Sequence, residues 1–353
     1  MLGSFLEVDD YFAQTDRHQS KDDIVAREAI IGCLQVLGHI AVSMQELVKS
    51  RSDLSIRFTL ADETNGKYPA FSGPDREEGH YVIGITVPML HLLYLETEKI
   101  TREHMSGRRY SRDAYFVLAA VFVICHEFAH IALGHFDGNR PPRSIVRADE
   151  FSADDHGGRI TSRQFALELP ALKHYCGIET LHDFVEAALI GQASLFSVLQ
   201  FLHQPSAIYH SPALRVRHMY GGFIKGILLK KLLSRKQMAE RCKVAMSLLD
   251  GMGGDFTHPN ELAAVLTVRP HDVALFNRET AIDASHRVAE TMNQSRFLAP
   301  LRDQIGGFQA PTRKKRWRAE DHARGRGKDK QVGGMSRLRA LLHRYFGRNR
   351  STR

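Results

Sequence analysis

Between Val123 and His135 the chain reads VICHEFAHIALGH, with three histidines and a glutamate set into an otherwise apolar run. His126 and His130 are four residues apart, so on a helix their imidazoles stand one above the other on one face. Both can then reach one cation, while Glu127, next to the first histidine, can face a water held there. Zinc lowers the pKa of such a water toward neutrality, and a carboxylate beside it can take the proton as the water attacks a carbonyl. H-E-x-x-H alone arises by chance in about one chain in twenty at this histidine content, so the third protein ligand decides how the stretch is read.

Two residues compete for that place. His135 lies five residues beyond His130, and about 1.4 helical turns swing it off the shared face. The extended metzincin pattern H-E-x-x-H-x-x-G-x-x-H needs glycine at 133 and histidine at 136, where this chain has Leu133 and Phe136. Glu150, in RADEFSADDHG, follows His130 by twenty residues, and Asp154 stands four residues further along the same face of an expected second helix. Requiring Glu and Asp at both offsets lowers the chance expectation to roughly one chain in several thousand.

H-E-x-x-H, a turn, and then E-x-x-x-D resembles the gluzincins, the thermolysin-like zinc peptidases. The resemblance implies that His126, His130 and Glu150 bind Zn2+ and that Glu127 is the general base. It also implies that Asp154 hydrogen-bonds the ring of His126 and fixes its tautomer. It is specific from Ala114 to Gly158. More weakly, HYVIGITVPML is similar to the edge strand along which such peptidases lay out an extended substrate.

Gluzincins also use a later His, Tyr or Arg to stabilise the oxyanion of the tetrahedral intermediate. AIYHSPALRVRHMYGG offers Tyr209, His210, Arg215 and Tyr220 for that role. His210 is the catalytic candidate, with His258, before Pro259, as its rival. The zinc pattern and the expected cytoplasmic setting also resemble the intracellular phage-exclusion peptidases of the Lit type, which attack a host protein. The implied function is a zinc-dependent protease of an intracellular protein or peptide substrate. The alternative is a degenerate peptidase domain with a structural zinc, acting as a binding or regulatory protein through a basic tail.

These residues need elements to position them. Ser111 is a good N-cap, Asp113 follows in the first turn, and Asp137-Gly138 supplies a stop, which predicts one helix of about 24 residues carrying the H-E-x-x-H. A second helix is expected from near Arg147. The spacing predicts a long helix from Ser20 to about Lys49 and strands at Leu54–Leu60 and His80–Val87, with a loop or hairpin connection between the strands. An occluding loop over 66–79 is one device that could restrain activity. Helices are expected at Ile178–Leu202, Leu214–Ser234 and Arg235–Leu249, and further helical segments to about Arg302. The expected fold class is α+β: a zincin-like domain with a small mixed sheet, an active-site helix and a mainly helical C-terminal part. The expected division is 1–50, an N-terminal helical segment; 51–305, the peptidase domain; and 306–353, a basic tail.

Composition sets the outer bounds. At 353 residues and 43% hydrophobic content the chain can bury a full core. Cys33, Cys125, Cys176 and Cys242 are far apart and form no C-x-x-C pair, which argues against a disulfide scaffold or an all-cysteine zinc site and suits a reducing cytoplasm. The N-terminus lacks a basic region before an apolar core, and the most apolar window spans about a dozen residues, so neither a signal peptide nor a transmembrane segment is expected. Of the net charge of +8, 15 Lys/Arg against 3 Asp/Glu fall between Pro311 and Arg353, so the preceding residues carry about four negative charges in excess. That tail is open to nucleic acid through phosphates, to an anionic membrane through an amphipathic helix, or to docking on a partner or the chain's own body.

Overall fold

The computed structural model describes residues 6–14, 21–49, 55–61, 70–75, 79–104, 112–136, 143–202, 212–229, 231–238 and 240–241. The expected helices beyond residue 241, His258 and the basic tail lie outside the described residues, as do Tyr209 and His210. In chain order the elements are α1 (Leu6–Gln14), α2 (Lys21–Lys49), β1 (Ser55–Ala61), β2 (Ala70–Pro74), β3 (His80–Thr86), α3 (Val87–His104), α4 (Arg112–Ala132), α5 (Arg143–Cys176), α6 (Leu181–Leu202) and α7 (Pro212–Leu229). Helices dominate, with one small mixed sheet, an arrangement consistent with α+β.

The sheet runs in the order β1-β3-β2. β1 is parallel to β3, from Ser55 opposite His80 to Ala61 opposite Thr86, and β2 is antiparallel to β3, from Ala70 opposite Ile85 to Pro74 opposite Tyr81. β3, expected as a substrate-facing edge, is therefore the central strand. Its Ile83, Gly84, Ile85 and Thr86 are all buried, so both faces are covered, which suits an uninterrupted β-branched run. The edge over α4 is β2, inside the segment expected as a loop or hairpin connection. Gly73 and Pro74 make AFSGP read as a turn, yet proline is tolerated on an edge strand, where a missing N–H breaks no central ladder. At Gly84 a side chain would collide with the ring of Phe71 opposite it, 2.4 Å from where a Cβ would stand.

Thr86 ends β3 and caps α3, its Oγ1 accepting from the backbone N–H of Met89 at 3.2 Å. This helix and α1 were not anticipated from the sequence. α4 is the centre of the molecule, packed by α2, α3, α5, α6 and two strands, and it is buried from Ala114 to Ala132 except at Glu127. Among the described residues two helices are long and apolar enough to cross a membrane, Asp22–Glu46 within α2 and α4 itself. In α4, 94% of the apolar window is buried inside the protein, so its hydropathy is that of a core helix.

α4 stops earlier than Asp137-Gly138. Gly134 adopts φ 69°, its N–H bonds the Ile131 carbonyl at 3.0 Å, and the His135 N–H bonds the His130 carbonyl at 3.0 Å. These two bonds form a Schellman motif around a left-handed glycine. α5 runs from Arg143 to Cys176 and is stopped by Gly177, also left-handed at φ 65°. Next, Thr180 and Asp183 exchange backbone and side-chain hydrogen bonds at 3.0 and 3.2 Å, which sets the start of α6 three residues later than expected. A similar exchange between Ser234 and Gln237 opens a further helical turn from Arg235.

α5 lies against α4 on one side and α7 on the other, and glycines set both distances. A Cβ on Gly157 would stand 2.9 Å from the Cα of His126, and one on Gly158 would stand 2.0 Å from the Met219 carbonyl oxygen. On the facing helix, a Cβ on Gly222 would meet the Asp155 carbonyl oxygen at 1.8 Å. Each helical glycine costs about 1 kcal/mol against alanine, and here each allows backbone to approach backbone.

Candidate metal centre

α4 carries His126, Glu127 and His130, and the close approach at Gly157 brings α5 across it with Glu150 and Asp154 facing inward. One ligand atom each from His126, His130 and Glu150 lies within 4.8 Å of the others, a group that could hold a metal ion. The two Nε2 atoms are 3.1 Å apart, Glu150 Oε2 is 3.6 Å from His126 Nε2, and Oε1 is 3.5 Å from His130 Nε2. The two Glu150 distances run to different oxygens, and a tetrahedral cation bound at about 2.0–2.1 Å holds its ligand atoms about 3.3–3.4 Å apart, so the three donors stand near the spacing that such a site needs.

The carboxylate of Asp154, fully buried, puts Oδ1 2.9 Å from His126 Nδ1, at hydrogen-bonding distance on the side of the ring away from the triad. Arg215, on α7, grips the same residue with two atoms: Nε is 3.2 Å from Asp154 Oδ2 and Nη2 is 3.2 Å from Oδ1. Nη2 also lies 3.2 Å from Glu150 Oε2 and 3.3 Å from His126 Nε2. Arg215 thus spans one metal-type ligand and the group that orients another. Tyr220, the other described member of the expected oxyanion set, packs against the hydrophobic core.

Glu127 is the one partly exposed residue in this stretch of α4, and the Ser72 hydroxyl of β2 donates to its Oε2 at 2.6 Å. That bond ties the general-base candidate to the edge of the sheet. Nothing in the sequence pointed to Ser72, because its strand was hidden in an apparent loop. His135 does not join the triad; it lies behind His130, the two Nδ1 atoms 2.8 Å apart.

Electrostatics sort the two histidines. Burial alone would lower the pKa of His126, but Asp154 and Glu150 hydrogen-bond to it and raise it to about 10. For His130 burial dominates and lowers the pKa, favouring the neutral ring that a cation needs. Burial would raise both acids; instead His130, His126 and Arg215 hold Glu150 well below the ordinary carboxylate range, and Arg215 and His126 do the same for Asp154. Both stay ionised.

Comparison with protein-family models, with curated proteins and with solved structures found no match for this chain.

Proposed function

We propose that this protein is a zinc-dependent peptidase of gluzincin type, with a zincin-like fold, acting on a protein or peptide substrate in the cytoplasm. The observation that carries the reading is the donor triad His126, His130 and Glu150, with one ligand atom from each within 4.8 Å of the others and a carboxylate, Glu127, one residue from the first ligand. Three buried free thiols, Cys33, Cys125 and Cys176, support a reducing compartment.

When bound, zinc supplies a Lewis acid that raises the acidity of water and polarises a carbonyl. Glu127 takes one proton from the attacking water and delivers it to the amide nitrogen as the C–N bond breaks, so that water is divided between a new acid and a new amine. Ser72 holds Oε2, which leaves Oε1 to handle the proton. Asp154 and Arg215 keep His126 and Glu150 in place. β2, whose outer side carries no strand among the described residues, offers main-chain groups to an extended substrate. His210 keeps its assigned oxyanion role on the strength of the resemblance alone.

A second reading, a degenerate peptidase whose residues 311–353 do the binding, has one observation in its favour: Arg215 itself places a cation 3.2 Å from Glu150 Oε2. One experiment separates the two. Zinc per chain is measured by elemental analysis in the wild type, Glu150→Ala and Glu127→Gln, alongside cleavage of a mixed peptide library. The expected result is near one zinc in the wild type, clear loss in Glu150→Ala, and zinc without cleavage in Glu127→Gln. Near-normal cleavage by Glu127→Gln would sink the mechanism, and absence of zinc from the wild type after reconstitution would sink the metal reading.

A further inference from the structure

We propose that His135, backed by Asp149, is a positioning residue that fixes the ring of His130 in the tautomer presenting Nε2 to the metal. The inference rests on the zinc reading above and extends it to a residue that the ligand pattern does not include.

Local geometry comes first. On a continuing helix, residue 135 would point about 140° away from residue 130. The chain leaves the helix at Gly134 instead, and the Schellman bonds bend it back until the His135 N–H reaches the His130 carbonyl. The same bend sets the two rings edge to face, with centroids 4.9 Å apart and Nδ1 atoms 2.8 Å apart.

Two imidazole nitrogens at that distance need one donor and one acceptor. His130 Nε2 faces His126 and Glu150, and to offer a lone pair there the neutral ring must carry its hydrogen on Nδ1. That N–H then donates to His135 Nδ1, which must be the acceptor. The hydrogen of His135 is left on Nε2, the ring nitrogen that lies 3.8 Å from Asp149 Oδ1, within reach of its charge and beyond direct hydrogen-bonding distance. Each step is forced by the one before. Both ends of the chain come from α5, where consecutive residues divide the work: Glu150 meets His130 from the metal side and Asp149 meets His135 from behind. His126 has the equivalent support from Asp154, so each histidine of the triad has its outer nitrogen held by a buried neighbour.

The test uses the full chain and reads the zinc dissociation constant by competition with a chromophoric chelator, with circular dichroism to establish folding. His135→Phe keeps a ring of similar size and removes the acceptor; the expected loss of zinc affinity is about 10- to 100-fold, the usual range for such supporting groups. His135→Asn returns an acceptor near the Nδ1 position and is expected to recover most of that loss. Asp149→Asn changes only the far end of the chain and keeps the test decisive if His135→Phe does not fold; several-fold weaker binding is expected. Zinc binding within about twofold of wild type in folded His135→Phe and in Asp149→Asn overturns the proposal, provided that Glu150→Ala in the same assay loses its zinc. Absence of zinc binding by the wild type would overturn the metal reading itself.

Discussion

His126, Glu150, Asp154 and Arg215 share a volume in which no side chain is more than 14% exposed. Removing such groups from water costs several kcal/mol per ion, and a buried pair of this kind is often no better for stability than well-packed apolar residues. Stability alone is therefore a poor reason to keep four of them together, whereas a metal site needs ionised Glu150 and an oriented His126. Taking one partner away is a different matter. Arg215→Ala leaves the Asp154 carboxylate buried without its bidentate partner, and the expected cost is about 3–5 kcal/mol in urea unfolding of the metal-free protein. A loss under about 1 kcal/mol would mean that water replaces the guanidinium. At this scale the site was largely legible in the sequence. His126, Glu127 and His130, and Glu150 with Asp154, follow from helical periodicity, which is local. Arg215 was visible as a residue type, but its partners on α5 were not, because nothing local states which face of α7 turns inward. Ser72 had no signal at all.

Between elements, glycine rather than any charged group decides whether the site assembles. α5 must touch α4 at His126 and α7 near Asp155, and Gly157, Gly158 and Gly222 permit both contacts. Two adjacent glycines after ADDH weaken a helix locally, yet α5 runs on through them to Cys176, because tertiary contact outweighs the propensity cost. β2 was lost for a similar reason: Gly73 and Pro74 punctuate a strand that pairing with β3 supports. Neighbouring positions on α7 offer a paired test. Gly222→Ala drives a methyl into the Asp155 carbonyl and is expected to cost about 1–3 kcal/mol by forcing the helices apart. It should also weaken zinc binding, since Arg215 and Asp154 sit on the two helices being separated. Gly221→Ala meets no atom within 4 Å and should be neutral or stabilising by up to about 1 kcal/mol. Equal effects of the two substitutions on urea unfolding would refute the close-contact account.

For the whole molecule, the packing of α5 against α7 carries a pH dependence of its own, centred on His156 rather than on the candidate metal ligands. His156 is buried, its Nδ1 lies 2.9 Å from the Ser152 carbonyl, and the cations Arg159 and Lys225 flank it together with Asp155. Burial first, and Arg159 next, bring its pKa down to about 4 from an ordinary value near 6.5. The native state thus keeps this ring neutral between about pH 6.5 and 4, while the unfolded chain takes up a proton over the same range. Stability rises with pH wherever the unfolded state binds more protons, so this contribution is lost on acidification. The shift corresponds to about 3 kcal/mol between pH 7 and pH 4. Asp155, where Arg159 and Lys225 overcome the effect of burial, stays ionised through that window and adds its own loss only at lower pH. Comparing wild type with His156→Gln isolates the histidine, because the remaining titrations are common to both chains. Urea unfolding from pH 7 to pH 4 should bring the two together as acid removes the advantage of the wild type, by about 3 kcal/mol. A difference that stays constant with pH would mean that His156 takes up its proton in the folded state near its ordinary pKa, and that α5 and α7 admit water where the structure packs them closed.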